Sequence, residues 1–171
     1  EDVRRVDEGF NVRLEDREVT ARIVIDASGK LSRFSPRQVQ PQFGVQFYEK
    51  GDRGDVLDFS FFKDGYGGAV TVEGGRSNTC ILIYKDALPR YLSRPDCLVT
   101  GPMSYQRGRS PFLAIGDAAG MVDPFCGEGM RHALDSGIRA ARVAAEGLSR
   151  TEEYDLIRSR YDRETRDQWT G

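Results

Sequence analysis

The 171-residue sequence has little cysteine, one histidine, one tryptophan and no long apolar run. Each scarcity removes a class of protein. Cys80, Cys97 and Cys126 are odd in number and lack metal-ligand spacing, so neither a disulfide framework nor a metal site is expected. Free thiols suit a reducing cytoplasm, which is the expected location. With no stretch of 18 apolar residues, no helix is expected to span a membrane. The chain opens on Glu1-Asp2 rather than on a basic-then-apolar stretch, so no signal peptide is expected. The net charge is −2 and no basic patch stands out, so nucleic acid is not an expected partner. Almost all the positive charge is arginine, with lysine only at 30, 50, 63 and 85, and this bias carries no functional weight.

What is present describes a globular chain: 39% apolar and 30% charged residues, long enough for a real core. Residues 2–6 and 9–14 alternate weakly around Asp7-Glu8-Gly9, a plausible hairpin. Ile23-Val24-Ile25 is a continuous β-branched run ending in Asp26-Ala27-Ser28-Gly29, as a strand buried on both faces would. "SPRQVQPQ" reads as a connector. The middle is strand-rich: 43–49, 55–62, "GGAVTVEGG" and "SNTCILIYK" are joined by glycine-rich turns, with Gly74-Gly75 the strongest hairpin signal. An antiparallel sheet of about four strands follows from this. "DALPRYLSRPD" allows one helical turn before Pro95 stops it.

The most specific stretch is "FLAIGDAAGMVDPFCGEGMRHALDSG", residues 112–137. A strand at 112–116 ends in Gly116-Asp117, placing a carboxylate at the carboxyl edge of a sheet, where ligands of α/β folds bind. Ala118, Ala119 and Gly120 leave room for a ligand to lie against the backbone. Gly127 and Gly129 flank a turn into a helix expected from about Gly127 to Leu148. The helix periodicity puts Met130, Ala133, Leu134, Gly137, Ala141, Ala144 and Leu148 on one stripe, with Arg131 and Asp135 one turn apart and able to pair. The first amides of that helix lack intrahelical partners and favour an anion or an electron-rich carbonyl. A polyol-accepting acid followed by an electropositive helix end suits a flavin. The ribityl chain would meet Asp117, and the N1–C2=O edge of the ring would face the helix.

This block, with Gly-Asp, Ala-Ala-Gly, Pro124 and Gly127-Glu128-Gly129 in sequence, resembles the second flavin-binding motif of the FAD-dependent oxidoreductases that share the p-hydroxybenzoate hydroxylase fold. "ARIVIDASGKLSRF" resembles the strand-and-turn motif that precedes it in that superfamily. Its "DASG" form, with Ser28-Gly29 where aromatic hydroxylases carry Asp-Gly, is closer to the geranylgeranyl-reductase and halogenase branches. The Trp- and Pro-bearing motifs of those branches are absent, and Trp169 is the one tryptophan. The resemblance implies an α/β (α+β mix) fold: an incomplete FAD-binding domain over residues 1–35 and 108–171, and a small antiparallel substrate-domain sheet over 36–107. It implies FAD as cofactor, held by Asp117, Ala118, Gly120, Pro124, Gly127, Glu128, Gly129 and Met130, with Ser28 and Gly29 from the earlier motif. NAD(P)H is the candidate electron donor, and the substrate class is a small organic or lipid-like molecule under reductase or monooxygenase chemistry.

The family's Gly-x-Gly-x-x-Gly strand–turn–helix has no counterpart here, since the glycines at 65–75 lie between strands. The chain is therefore expected to be a fragment holding one half of an FAD site. Deletion, proteolysis and a second polypeptide supplying the other half stay open. Cys126 and Tyr66 are the candidates for a catalytic role, against plain readings as a small loop residue and a hairpin tyrosine. His132 reads as a surface or packing residue, Arg107 and Arg109 as solvated loop, and the charged segment 151–169 as a solvated helix given apolar contact by Tyr154, Leu156, Ile157 and Tyr161. The rival reading is a non-catalytic remnant or interaction module that binds no flavin alone.

Overall fold

The computed structural model describes residues 2–34, 37–94, 96–106, 110–120 and 124–166. In chain order the strands are β1 (Asp2–Val6), β2 (Gly9–Arg13), β3 (Glu18–Ala21), β4 (Ile25–Asp26), β5 (Arg37–Gln40), β6 (Gln42–Lys50), β7 (Asp58–Phe62), β8 (Gly65–Val72) and β9 (Arg76–Tyr84). The short helix α1 (Pro89–Leu92) follows, then β10 (Leu98–Thr100), β11 (Met103–Gln106) and β12 (Leu113–Ala114), and finally α2 (Gly129–Ser149) and α3 (Tyr154–Thr165). The class is mixed α/β. The chain divides into two compact units, residues 1–37 with 105–171, and residues 38–104.

In the first unit β1, β2 and β3 form an antiparallel meander, and Val6 pairs with Gly9 across the Asp7-Glu8 turn. β4 pairs in parallel with β12, Ile25 opposite Leu113 and Asp26 opposite Ala114. The core gathers Phe10 from the meander, Phe112 and Leu113, Ala140, Val143 and Ala144 of α2, and Tyr154, Ile157 and Tyr161 of α3. Phe10 meets Phe112 and Tyr154 edge-on at centroid distances of 5.5 and 4.7 Å, the geometry aromatic quadrupoles prefer. Burying each such side chain contributes about 1.5–3 kcal/mol.

The second unit is a five-stranded antiparallel sheet in the order β10-β6-β9-β8-β7. The Gly74-Gly75 turn joins β8 to β9 with both glycines at positive φ. One face of the sheet is closed by Val45, Phe47, Ile81 and Ile83 against Ala87, Leu88 and Tyr91.

Several expectations need correction. The strand over Ile23–Ile25 is short and not buried on both faces: β4 covers only Ile25–Asp26, and Ile25 is 42% exposed, with β12 its one ladder neighbour among the described residues. The connector 35–42 contains β5, paired with β11, and the sheet has a fifth strand, β10. On α2 the buried stripe is His132, Ser136, Ala140, Val143, Ala144 and Gly147, while Met130, Leu134 and Ile138 are exposed. The helix carries small apolar residues on more than one face, so its period specified a helix without specifying which face turns inward. Arg131 pairs with Glu128 at 2.7 Å, and Asp135 with Arg139 at 3.2 Å. The final helix spans Tyr154–Thr165; its Tyr154, Ile157 and Tyr161 are core residues, and Leu156 is exposed. Pro95, Arg107, Arg109 and Trp169 lie outside the described residues.

Candidate functional site

The site is built where β4 and β12 end side by side. After β4, the Asp26 carboxylate is buried and organises the Asp-Ala-Ser-Gly turn from within. Its Oδ1 accepts the Ser28 amide at 3.0 Å and the Ser28 hydroxyl at 2.5 Å, and its Oδ2 accepts the Ser32 hydroxyl at 2.5 Å. Such a side-chain bond two residues ahead is the aspartate turn that competes with strand continuation. The chain then makes a short 310 turn, Gly29–Leu31, with Gly29 at φ +70°.

After β12, Ile115 extends the strand and Gly116–Ala118 form a second 310 turn, with Gly116 at φ +54°. The two 310 turns pack against one another, and α2 packs on the second. The Gly116 amide donates to the Ser136 hydroxyl at 2.9 Å, and that hydroxyl donates to the His132 carbonyl at 2.6 Å. Asp117 is half-buried in this turn, Ala118 is wholly buried beneath it, and Gly120 follows half-buried. α3 braces the strand from behind: Tyr154 donates to the Pro111 carbonyl at 2.8 Å and Tyr161 to the Ala114 carbonyl at 2.5 Å.

Pro124–Cys126 form a third 310 turn leading into α2, and the Cys126 side chain lies outside the described residues. Gly127 is at φ +64°, a conformation glycine adopts without strain. Glu128 occupies the N-cap position of α2 but does not cap it. Its carboxylate turns instead to Arg131 at 2.7 Å and to His132 Nε2 at 3.2 Å. The Arg131 guanidinium holds the Glu128 carboxyl below the usual carboxylate range. The first amides of α2 thus receive no side-chain cap from Glu128. Gly129 is exposed at ordinary φ, and a Cβ built there meets nothing within 4 Å. Among the described residues, neither backbone conformation nor internal packing demands glycine at 129. A ligand lying against the helix terminus would demand it. Met130 is 80% exposed beside it.

The first unit therefore brings together Ser28, Gly29, Asp117, Ala118 and Gly120 on the paired turns, and Pro124, Gly127, Glu128, Gly129 and Met130 at the α2 entrance. Tyr66 belongs to the other unit, where it faces Phe61 across β7–β8 and packs with Phe59 and Phe61 at centroid distances of 5.9 and 6.3 Å. Sequence reasoning missed Asp26, Ser136 and the two tyrosine hydroxyls as the groups that set the turns. Asp26 alone had a local signal, the Asp-x-Ser spacing. Among the described residues no three His, Cys, Asp or Glu gather as metal ligands, and no helix is long and apolar enough to cross a membrane.

No protein-family model matches the chain. Among curated proteins, 59 residues are 37% identical to digeranylgeranylglycerophospholipid reductase 1 of Methanococcoides burtonii, covering 34% of this chain and 14% of that protein. A further match, 30% identical over 77 residues, is the digeranylgeranylglycerophospholipid reductase of Thermoplasma volcanium, with 42% of this chain and 19% of that protein covered. The solved flavin-dependent halogenase CmlS superposes with a TM-score of 0.74 at 18% identity, over 99% of this chain and 39% of its own. PqsL of Pseudomonas aeruginosa, solved with 2-aminobenzoylacetate, superposes with a TM-score of 0.74 at 16% identity, over 96% of this chain and 57% of its own. The fold is that of the FAD-dependent oxidoreductases of the p-hydroxybenzoate hydroxylase type. In this flavoenzyme fold the chain spans 39% and 57% of the two solved neighbours, and the matched segments are less than a quarter of the curated relatives.

Proposed function

We propose that this chain is the flavin-facing part of an FAD-dependent oxidoreductase, with residues 1–35 and 108–171 at the cofactor and 36–107 as a substrate sheet. The observation that carries this reading is Gly129: an exposed glycine of ordinary backbone, with open space at its missing Cβ among the described residues, at a helix N-terminus that Glu128 does not cap. Asp117 binds the ribityl hydroxyls as an acceptor. The amides at Gly127, Glu128, Gly129 and Met130 face the N1–C2=O edge of the ring, with Pro124 beside it and the helix dipole favouring negative charge there. Ser28, Gly29 and Gly120 line the turns through which the cofactor passes, and the buried Ala118 lets the Asp117 turn close on α2. When bound, FAD supplies electron transfer to or from an organic substrate. The curated relatives' names favour a reductase and a lipid-like substrate. NAD(P)H is the proposed electron donor. The proposed location is the cytoplasm, and the nucleotide-binding half of the site is supplied from outside these 171 residues.

Riboflavin tests the reading, because it has the ring and ribityl chain without the adenylate. The purified chain should quench riboflavin fluorescence on titration. Asp117→Ala should weaken binding at least about tenfold, since a hydrogen bond to a charged group is worth about 1.5–3 kcal/mol. Colourless protein that leaves both riboflavin and FAD unquenched would instead support the non-catalytic interaction module.

A further inference from the structure

Every residue from Lys50 to Lys63 is exposed, the whole of β7 included. β7 ends the five-stranded sheet, with β8 its one ladder neighbour among the described residues. Val56, Leu57, Phe59, Phe61 and Phe62 are each between 39% and 70% exposed. At roughly 200 Å² for a side chain of this size, half exposed, the five present roughly 500 Å² of apolar surface. That matches the largest apolar patches of monomeric proteins, which are often functional. Edge strands are ordinarily blunted by charge, proline or a bulge. Between Asp58 and Lys63 the sequence has no charge and no proline, and the pairing with β8 runs unbroken from Asp58–Ala69 to Phe62–Gly65. Asp58 itself is turned to Arg53 at 2.7 Å.

The hairpin decides which backbone groups are on offer. Lys63 and Asp64 form a two-residue turn closed by Phe62 and Gly65, and the closing pair of such a hairpin exchanges both of its hydrogen bonds. Asp58, Ser60 and Phe62 therefore direct their main-chain groups to β8, and Phe59 and Phe61 direct theirs outward. Phe59 and Phe61 also share one face of the sheet, where their rings meet edge-on at a centroid distance of 5.2 Å beside Tyr66.

We infer that β7 pairs antiparallel with β7 of a second copy of this chain, giving a two-fold dimer whose sheet runs on from one copy to the other. Centred on Ser60, the register sets Phe59 opposite Phe61 of the second copy and Phe61 opposite its Phe59. The outward main-chain groups of both residues are then satisfied, and Ser60 faces Ser60 on the axis. Lys63 falls opposite Leu57 of the second copy and diagonal to its Asp55, so the two ends of the pairing carry complementary charge. Two observations favour a second copy as the occupant. The strand is self-complementary in this register, apolar on apolar and Lys beside Asp. The two patches together make roughly 1,000 Å², the area at which specific interfaces begin.

Sedimentation equilibrium of the chain from about 1 to 100 µM tests this, since an interface at the small end of the specific range associates in the micromolar region. Wild type should pass from monomer to dimer. Phe61→Lys puts a charge from each copy into the aromatic cluster and should weaken the dimer at least about tenfold. Phe61 is 70% exposed, so circular dichroism of the dilute variant should show it folded. Ser60→Cys reads the register without disturbing the strand. Facing Cα atoms of a non-hydrogen-bonded pair lie about 4.5 Å apart, a span that a disulfide bridges. Mild oxidation should therefore cross-link Ser60→Cys into a covalent dimer, but not Lys63→Cys, which carries the same three native cysteines. The inference is overturned if wild type stays monomeric throughout, for then polypeptide of another origin covers β7. It is equally overturned if Phe61→Lys dimerises like wild type, or if the two cysteine variants cross-link alike.

Discussion

Ser136 holds Gly116 in place: its hydroxyl accepts the Gly116 amide at 2.9 Å from inside α2, and both residues are buried. Gly116 is the residue before Asp117, so this bond fixes where the strand ends and where the acid starts. Ser136→Ala removes the acceptor and leaves a buried N–H unsatisfied, at a cost of about 1–3 kcal/mol. Urea unfolding of the variant should show a lower midpoint with an unchanged slope. Riboflavin affinity should fall with it, since the turn carrying Asp117 loses its anchor. An unchanged midpoint would show that another group satisfies the amide.

That bond also marks where sequence reading stops. The Gly-Asp turn, the existence of α2 and the Gly74-Gly75 hairpin are legible because each depends on local rules: positive φ, alanine-rich periodicity and turn chemistry. The face of α2 is not local. Its rotation follows from Ser136 meeting Gly116 and from Gly147 meeting Ile157, contacts between residues 20 and 10 positions apart. β5, β10 and β11 escaped for a related reason. Four-residue or shorter strands have no period to read, and they exist because a ladder partner is present. Within the candidate site, the glycines, the acid at 117 and the Asp26-x-Ser28 turn are local features of the chain, whereas Ser136, Tyr154 and Tyr161 act across space.

Two glycines of the same helix should respond to alanine with opposite signs. A Cβ on Gly147 falls 2.3 and 2.4 Å from Cγ1 and Cδ1 of Ile157, a side chain 1% exposed. Alanine gains about 0.8–1 kcal/mol of helix propensity there. Overpacking a full core costs about 1–3 kcal/mol, so the clash wins. Gly147→Ala should therefore lower the melting temperature, and adding Ile157→Val should recover part of the loss.

At Gly129 the same substitution meets nothing within 4 Å. The variant Gly129→Ala should melt at the same temperature or slightly higher, gaining at most about 1 kcal/mol from the stiffer unfolded chain. Its riboflavin affinity should nevertheless drop, because the new methyl group lies where the ring edge approaches the helix. Stability retained with affinity lost is the signature of a glycine kept for a ligand. Affinity retained would move the ring edge away from Gly129.

The tyrosines of α3 give the molecule an alkaline limit. Burial raises the Tyr154 phenol to about 12, and raises Tyr161 still further. Unfolded tyrosine titrates near about 10. The folded state therefore keeps these protons where the unfolded chain has released them, and stability declines as pH rises from about 10 towards 12. Below about pH 10 the contribution is fully present. Both hydroxyls end on carbonyls of the strand that leads to Gly116, at Pro111 and Ala114, so the loss loosens β12 first. Tyr154→Phe forfeits one hydrogen bond, about 0.5–1.5 kcal/mol at neutral pH, and removes its share of the alkaline slope. The double variant Tyr154→Phe, Tyr161→Phe should be less stable than wild type at pH 7, yet lose stability less steeply between pH 10 and 12. Denaturant midpoints measured across that range decide it: a slope equal to wild type would assign the alkaline loss to other groups.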